Sequence, residues 1–317
     1  MAKSHNENEL RLIRSFNAPV KLVWEMWTQN EHVNKWWGPR GFTLTTKSKD
    51  VTVGGQWIYT MHGPDGVDYP NITTYHEVVD CSRLVYDHGA SVDRKALFQV
   101  TAIFKEVEGK TILDMTMAFE TAQEAKEIKK FIKQAGGDAT WDRLAEYIEE
   151  TQRQKDVFII NRSFEASAKN LFEMWTNPKY FAQWMGPTGS TMEIINASIS
   201  EGGSLHYVMD HPADVTLYGM VKYEKIQAPH LLVYTQTFCD KEGALIKPSF
   251  APTWPDAMRT TILFHEESSN ETRIALQWEI AGEANEIERQ TFHEAKAGMT
   301  GGWSGSFDKL EELLKEI

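Results

Sequence analysis

Cysteine is nearly absent: Cys81 and Cys239 are the whole complement of a 317-residue chain. Two thiols so placed make no disulfide framework and suit a reducing compartment, so the chain is expected in the cytoplasm. No apolar run approaches the roughly 18 residues needed to span a membrane. The stretch Met1 to Glu9 is polar, without the apolar core of a signal peptide. Dense basic clusters are missing too. Thirty-three Lys and Arg face 45 Asp and Glu, for a net charge of −12. This argues against a nucleic-acid partner, because phosphates need a basic face. His76-Glu77, His265-Glu266 and His293-Glu294 open like a zinc-protease motif, yet none has a second His four residues after the first. No Cys pair has ligand spacing, so no metal is expected. The glycine-rich nucleotide loops are absent as well, and no cofactor is expected. Gly302-Trp303-Ser304-Gly305 misses the spacing of a nucleophile elbow.

What the chain does have is itself, twice. Glu25-Met26-Trp27-Thr28 and Trp36-Trp37-Gly38-Pro39 return as Glu173-Met174-Trp175-Thr176 and Trp184-Met185-Gly186-Pro187, each shifted by 148 positions. Arg14-Ser15-Phe16, Gly54-Gly55, Tyr59, Met61, Tyr75 and Leu84-Val85-Tyr86 return at the same shift. The second copy is longer after Tyr234 and near its C-terminal end. A period this long means duplicated domains, not a solenoid. The expected domains are 1–151 and 156–317, each large enough for its own core, joined by the polar linker Thr151 to Lys155.

In each copy the pattern reads strand, two short helices, six strands, long helix. Leu10–Phe16 is the first strand. Pro19 suits the opening turn of a helix, and Val20, Val23, Trp24 and Trp27 then follow at amphipathic spacing. A second helix spans about 31–37. The period becomes two over 42–50, 56–62, 69–79, 84–88, 97–107 and 111–119, and short turns imply an antiparallel meander. Residues 121–150 read as a long helix broken near Gly136-Gly137. In the second copy Val157–Phe164 is the first strand, Ser167 an N-cap, and strands run on to Ile280. Two helices are expected at the end, 283–297 and 303–316, parted by Gly298 and Gly301-Gly302.

Alternation places Trp57, Tyr59 and Met61, with Leu205, Tyr207 and Met209, on one sheet face. Met115 and Met117 share it, as does Trp278, the counterpart of Met117. This face closes either a solid core or a cavity. Methionine suits an adaptable lining, and the tyrosines either meet a bound polar head or reach water. Trp36, Trp37 and Trp184, at helix ends beside Gly-Pro turns, are placed to hang over an opening. The extra residues of the second copy, about 238–257, form an aperiodic loop. Phe250 and Trp254 either fold over a pocket as a lid or pack on the sheet edge.

The Arg-x-Phe strand, the Glu-Met-Trp-Thr helix, Trp-Trp-Gly-Pro, the Gly-Gly turn and Gly302-Trp303 resemble the activator of Hsp90 ATPase homologue 1-like (AHSA1-like) family. That family belongs to the START/Bet v 1-like (SRPBCC) superfamily. The second copy is the closer match, with Asp240 to Gly243, Trp254-Pro255 and Thr260 to Phe264. The first lacks Trp-Pro and Gly-Trp and has Trp141 instead. The resemblance implies an α+β fold of two tandem helix-grip domains, each a curved antiparallel sheet of about seven strands wrapped on a long C-terminal helix. It also implies a lipophilic small molecule as partner. Taken with the strand pattern, the expectation is non-catalytic binding of an apolar or amphipathic ligand in such a cavity. A co-chaperone-type module with a chaperone or other protein partner, and a polyketide cyclase-like enzyme, are the alternatives.

Overall fold

The computed structural model describes residues 6–134, 138–152, 157–211 and 215–316. The chain divides into two compact units, Met1–Gln152 and Arg153–Ile317. The first unit runs β1 (Glu9–Phe16), α1 (Val20–Thr28), α2 (Asn30–Trp36), β2 (Thr43–Lys49), β3 (Gln56–His62), β4 (Asp68–Val79), β5 (Arg83–Ala90), β6 (Phe98–Val107), β7 (Lys110–Ala118), α3 (Ala122–Gln134) and α4 (Asp138–Gln152). The second repeats the order with β8 (Val157–Phe164), α5 (Ala168–Thr176), α6 (Pro178–Trp184), β9 (Thr191–Ala197), β10 (Ser204–His211), β11 (Val215–Gln227), β12 (Leu231–Cys239), β13 (Met258–Ser268), β14 (Glu271–Ile280) and α7 (Glu286–Leu314). Each unit holds one seven-stranded antiparallel sheet, ordered β1-β7-β6-β5-β4-β3-β2 and β8-β14-β13-β12-β11-β10-β9. Neither closes into a barrel, and the helices cover one face. This is the expected pair of helix-grip domains.

The two short helices form because each has a tight apolar stripe and a local start signal. In α1 the residues Val23, Trp24, Met26 and Trp27 are buried. Pro19 is its N-cap and not its first turn, and the Val20 N–H donates to Glu106 Oε2 at 2.9 Å. In α5 the Ser167 hydroxyl accepts from the Asn170 N–H, as capping chemistry predicts. The corner between the helices is held alike in both units. Trp36 Nε1 donates to the Met26 carbonyl and Trp184 Nε1 to that of Met174, both at 3.0 Å.

The C-terminal helix holds the turn after α2 or α6. Arg143 of α4 donates to the carbonyls of Gly38, Pro39, Phe42 and Lys35. Its counterpart Lys309 reaches those of Met185 and Ser190. Glycine is required in this turn. Gly38 and Gly186 have φ of +96° and +103°, and a Cβ at Gly186 would lie 2.8 Å from Met209 Cε.

One expectation changes. The last helix of the second unit is continuous from Glu286 to Leu314, opened by an Asn285–Glu288 capping box. Glycine has no steric bar to helical dihedrals. Its cost of about 1 kcal/mol per residue is outweighed by the buried Phe292, Phe307, Leu310 and Leu313, each contributing about 1.5–3 kcal/mol. In the first unit α3 and α4 flank the expected break, but Gly136 and Gly137 lie outside the described residues. The same holds for linker residues 153–155. Among the described residues no helix is long and apolar enough to cross a membrane.

Candidate functional site

In the first unit the inner sheet face gathers Trp57 and Tyr59 of β3, Thr73 and Tyr75 of β4, and Tyr86 and His88 of β5. Tyr75 and Tyr86 are direct partners across the β4–β5 ladder, with rings 5.8 Å apart. The Tyr59 ring stacks on Trp57 at 3.9 Å. Trp37, just past α2, caps this group at 5.1 Å from Trp57, 6.4 Å from Tyr59 and 6.1 Å from His88. Burial pushes the Tyr59, Tyr75 and Tyr86 phenols well above their ordinary range, so all three stay neutral donors at pH 7. Burial, with the nearby Arg94 charge, pulls the His88 imidazole down to about 4. The Tyr59 hydroxyl faces the Trp37 side chain and Thr73. Neither the Tyr59 nor the Thr73 oxygen completes a well-formed hydrogen bond.

A cation enters this aromatic group from the sheet edge. Opposed residues of paired strands share a face, and a register shift between Thr46 and Ser48 sets Thr46 opposite Tyr59 and Lys49 opposite Trp57. Without that bulge Thr46 and Lys49 would point to opposite faces. Lys49 Nζ lies 3.4 Å from the Trp57 ring centroid and donates to the Tyr75 hydroxyl at 3.5 Å. Its amine is drawn down to about 7 by desolvation. The Trp57 N–H is satisfied by Thr46 Oγ1 at 3.0 Å. The second unit repeats the bulge, but Ala197 stands opposite Leu205.

The second unit keeps the tyrosines and changes their surroundings. Tyr223 pairs with Tyr234 across β11 and β12. Tyr207 is opposite Gly219, where its counterpart Tyr59 is opposite Asn71. A Cβ at Gly219 would lie 2.3 Å from the Tyr207 ring, so the ring folds across the glycine. Its hydroxyl accepts from Gln236 Nε2 at 2.7 Å. Burial pushes that phenol up to about 12. Gln236 occupies the place of His88. Beyond it Trp278 is half-buried, with its ring 5.8 Å from Trp254 and 6.3 Å from Trp303. The Trp278 Nε1 and Thr260 Oγ1 atoms are buried without a well-formed hydrogen bond, the Thr260 hydroxyl facing that of Tyr234.

The loop at 240–257 is tied down, not loose. Lys247 bonds the Trp254 carbonyl and pairs with Asp256 and Glu288, both at 2.7 Å. Trp254 is thereby held against Phe292 of α7 at 6.1 Å. Phe250 stays 61% exposed, its ring 6.0 Å from Phe238.

The expected residues are thus brought together unevenly. Trp37, Trp57 and Tyr59 form one aromatic group, and Trp254 and Trp278 another. Met61 and Met209 lie against the Gly38 and Gly186 turns. Met115 and Met117 are buried on β7. Neither Trp36 nor Trp184 hangs over an opening: both are fully buried, their N–H groups spent in the helix corner. Trp37 is only 6% exposed. Trp141 takes the role of Trp303, stacking on Trp27 at 5.3 Å as Trp303 stacks on Trp175 at 6.1 Å. Lys49, His88, Thr73, Gln236 and the outer tyrosines escaped the reading of the sequence. The tyrosines had a signal, since Tyr75 and Tyr86 recur in the second copy. Among the described residues no group of three or more His, Cys, Asp or Glu is placed to hold a metal ion.

The model of the family described as activator of Hsp90 ATPase homolog 1-like protein matches residues 17–149 and again 165–315. No curated protein matches the chain. Among solved structures, a protein from Nitrosomonas europaea is 22% identical over 47% of this chain and 99% of its own, with a TM-score of 0.43. One from Arthrobacter aurescens is 23% identical over 47% and 90%, also at 0.43. The di-domain ARO/CYC BexL from the BE-7585A biosynthetic pathway is 11% identical over 96% and 97%, at 0.39.

Proposed function

Because the chain belongs to the family of activator of Hsp90 ATPase homolog 1-like proteins, in both halves, we propose that each unit binds an apolar or amphipathic small molecule against the inner face of its sheet, without catalysis. The observation that carries this is the buried polar atoms among the aromatics. Buried hydroxyls and indole N–H groups are nearly always hydrogen-bonded. Tyr59, Thr73, Thr260 and Trp278 each leave one without a well-formed protein partner. A ligand with an apolar body and a few polar atoms supplies such partners. In this reading Trp37, Trp57, Tyr59, Met61, Met115 and Met117 line the first site. Tyr207, Met209, Trp254 and Trp278 line the second, and Phe250 rides on the loop beside it. Trp36 and Trp184 support the lining from behind.

Titration with N-phenyl-1-naphthylamine, followed by its emission and by tryptophan quenching, tests the proposal. Saturable enhancement with energy transfer from tryptophan is expected. No enhancement up to the solubility limit of the probe would sink it.

A protein partner is the second reading, and one observation favours it. Leu245, Ile246 and Phe250 of the tethered loop are 55%, 45% and 61% exposed, and Ile287 at the start of α7 is 63% exposed. Such side chains, rimmed by charge, suit a protein interface. A pull-down against Hsp90 checks it. Retention lost on changing Phe250 and Ile287 to Ser would support it, and no retention at micromolar concentration would count against it.

A further inference from the structure

At the edge of its sheet the first unit has Lys49 where the second has Ala197. An ammonium has three donors. One meets the Tyr75 hydroxyl, and the Trp57 face lies beside the charge. No carboxylate pairs with it among the described residues. The titratable groups on the elements around it are Lys47 on β2 itself, Asp50 next along the chain, Glu31, His32 and Lys35 on α2, Tyr59 and His62 on β3, and Asp68, Tyr69, Tyr75, His76 and Glu77 on β4. His62 pairs with Asp68 and His76 with Asp87. His32 bonds Tyr147. A half-buried cation without a counter-ion is costly, and its amine accordingly loses its proton near neutral pH.

We propose that the first unit selects amphipathic acids, whose anionic head pairs with Lys49 while the apolar body lies along Trp57, Tyr59 and Trp37. The neutral Tyr75 and Tyr59 hydroxyls are donors available to the same head. The second unit, with Ala197 at this place, takes ligands without an acidic group. This rests on the ligand-binding reading above and adds the chemistry of the head group. Binding the anion to the neutral amine takes up one proton, which stays on Lys49 in the complex. Affinity is therefore greatest below the amine's own titration. It falls with rising pH above about 7, by up to tenfold per unit.

Two probes with the same aromatic body test this on the full chain: 8-anilino-1-naphthalenesulfonate, which is anionic, and neutral N-phenyl-1-naphthylamine. Lys49→Met is expected to weaken the sulfonate at pH 6.5 by at least about tenfold and to leave the neutral probe within twofold. Lys49→Arg, always charged, is expected to keep sulfonate binding and to abolish its decline between pH 7 and 9. If both probes bind but Lys49→Met shifts them alike or not at all, the acid site is wrong and the ligand-binding reading stands. Sulfonate affinity of the unmodified chain that is flat from pH 6 to 9 overturns the acid site even where Lys49→Met does not fold. If neither probe binds, both are wrong.

Discussion

Tyr59 and Tyr207 occupy the same place in the repeat, and one cross-strand neighbour separates their behaviour. Opposite Gly219 the Tyr207 ring has room to fold over the strand and reach Gln236. Opposite Asn71 the Tyr59 ring lies on Trp57 instead. Gly219→Ala is therefore expected to destabilise the chain by about 1–3 kcal/mol, as overpacking does, read from the urea midpoint. Adding Tyr207→Leu should restore part of it, since the two positions are coupled. Equal losses with and without the tyrosine would contradict the contact. His88 gives a pH effect. The folded imidazole takes its proton only near 4, the unfolded one near 6.5. The unfolded state thus binds more protons between these values, and stability falls as pH drops from about 6.5 to 4. The slope is at most about 1.4 kcal/mol per unit for one group. Unfolding of His88→Phe should be flatter over pH 6.5 to 5 than that of the unmodified chain. Alternation and duplication made Trp57, Tyr59 and their counterparts legible from sequence. They did not reveal Lys49, because a bulge reverses the facing that simple alternation assigns.

Strands were legible because period-two alternation on a half-covered sheet leaves little choice: the six expected after α2 are found within two residues at every end. Helix ends were less legible. The glycines of α7 read as breaks, yet the buried Phe292, Phe307 and Leu310 carry the helix through them. A Cβ at Gly298, Gly301 or Gly302 would meet nothing within 4 Å. Alanine at each should add roughly 0.5–1 kcal/mol. Gly305 is different, because a Cβ there would lie 2.5 Å from Thr188 Oγ1. Gly305→Ala should lower the thermal midpoint while the other three raise it, and a uniform sign across the four would contradict this packing. The loop at 240–257 is latched by Lys247. Lys247→Met removes the ion pairs with Asp256 and Glu288, and is expected to speed proteolytic cleavage within 244–254. An unchanged cleavage rate would mean that Trp254 alone holds the loop.

At the scale of the molecule, duplication has kept the scaffold and let the inner surfaces diverge. Both units retain the indole-to-carbonyl corner, the basic residue that holds the Gly-Pro turn, and three inward tyrosines. They differ at Lys49 and Ala197, at His88 and Gln236, at Met117 and Trp278, and in the long loop. These four differences fall on or beside the sheet face that the helices cover. The scaffold was legible because the repeated motifs are those that make turns and corners. The proposed head-group chemistry was not, since it rests on how far a ring leans and where one bulge sits.

The account therefore turns on whether the covered faces take up small molecules. Native mass spectrometry of the full chain, incubated with excess N-phenyl-1-naphthylamine and compared with its denatured mass, tests this most directly. Adducts of one and then two probe molecules, both lost on denaturation, are predicted. The bare chain alone at saturating probe would contradict the account and leave two cores filled by their own side chains.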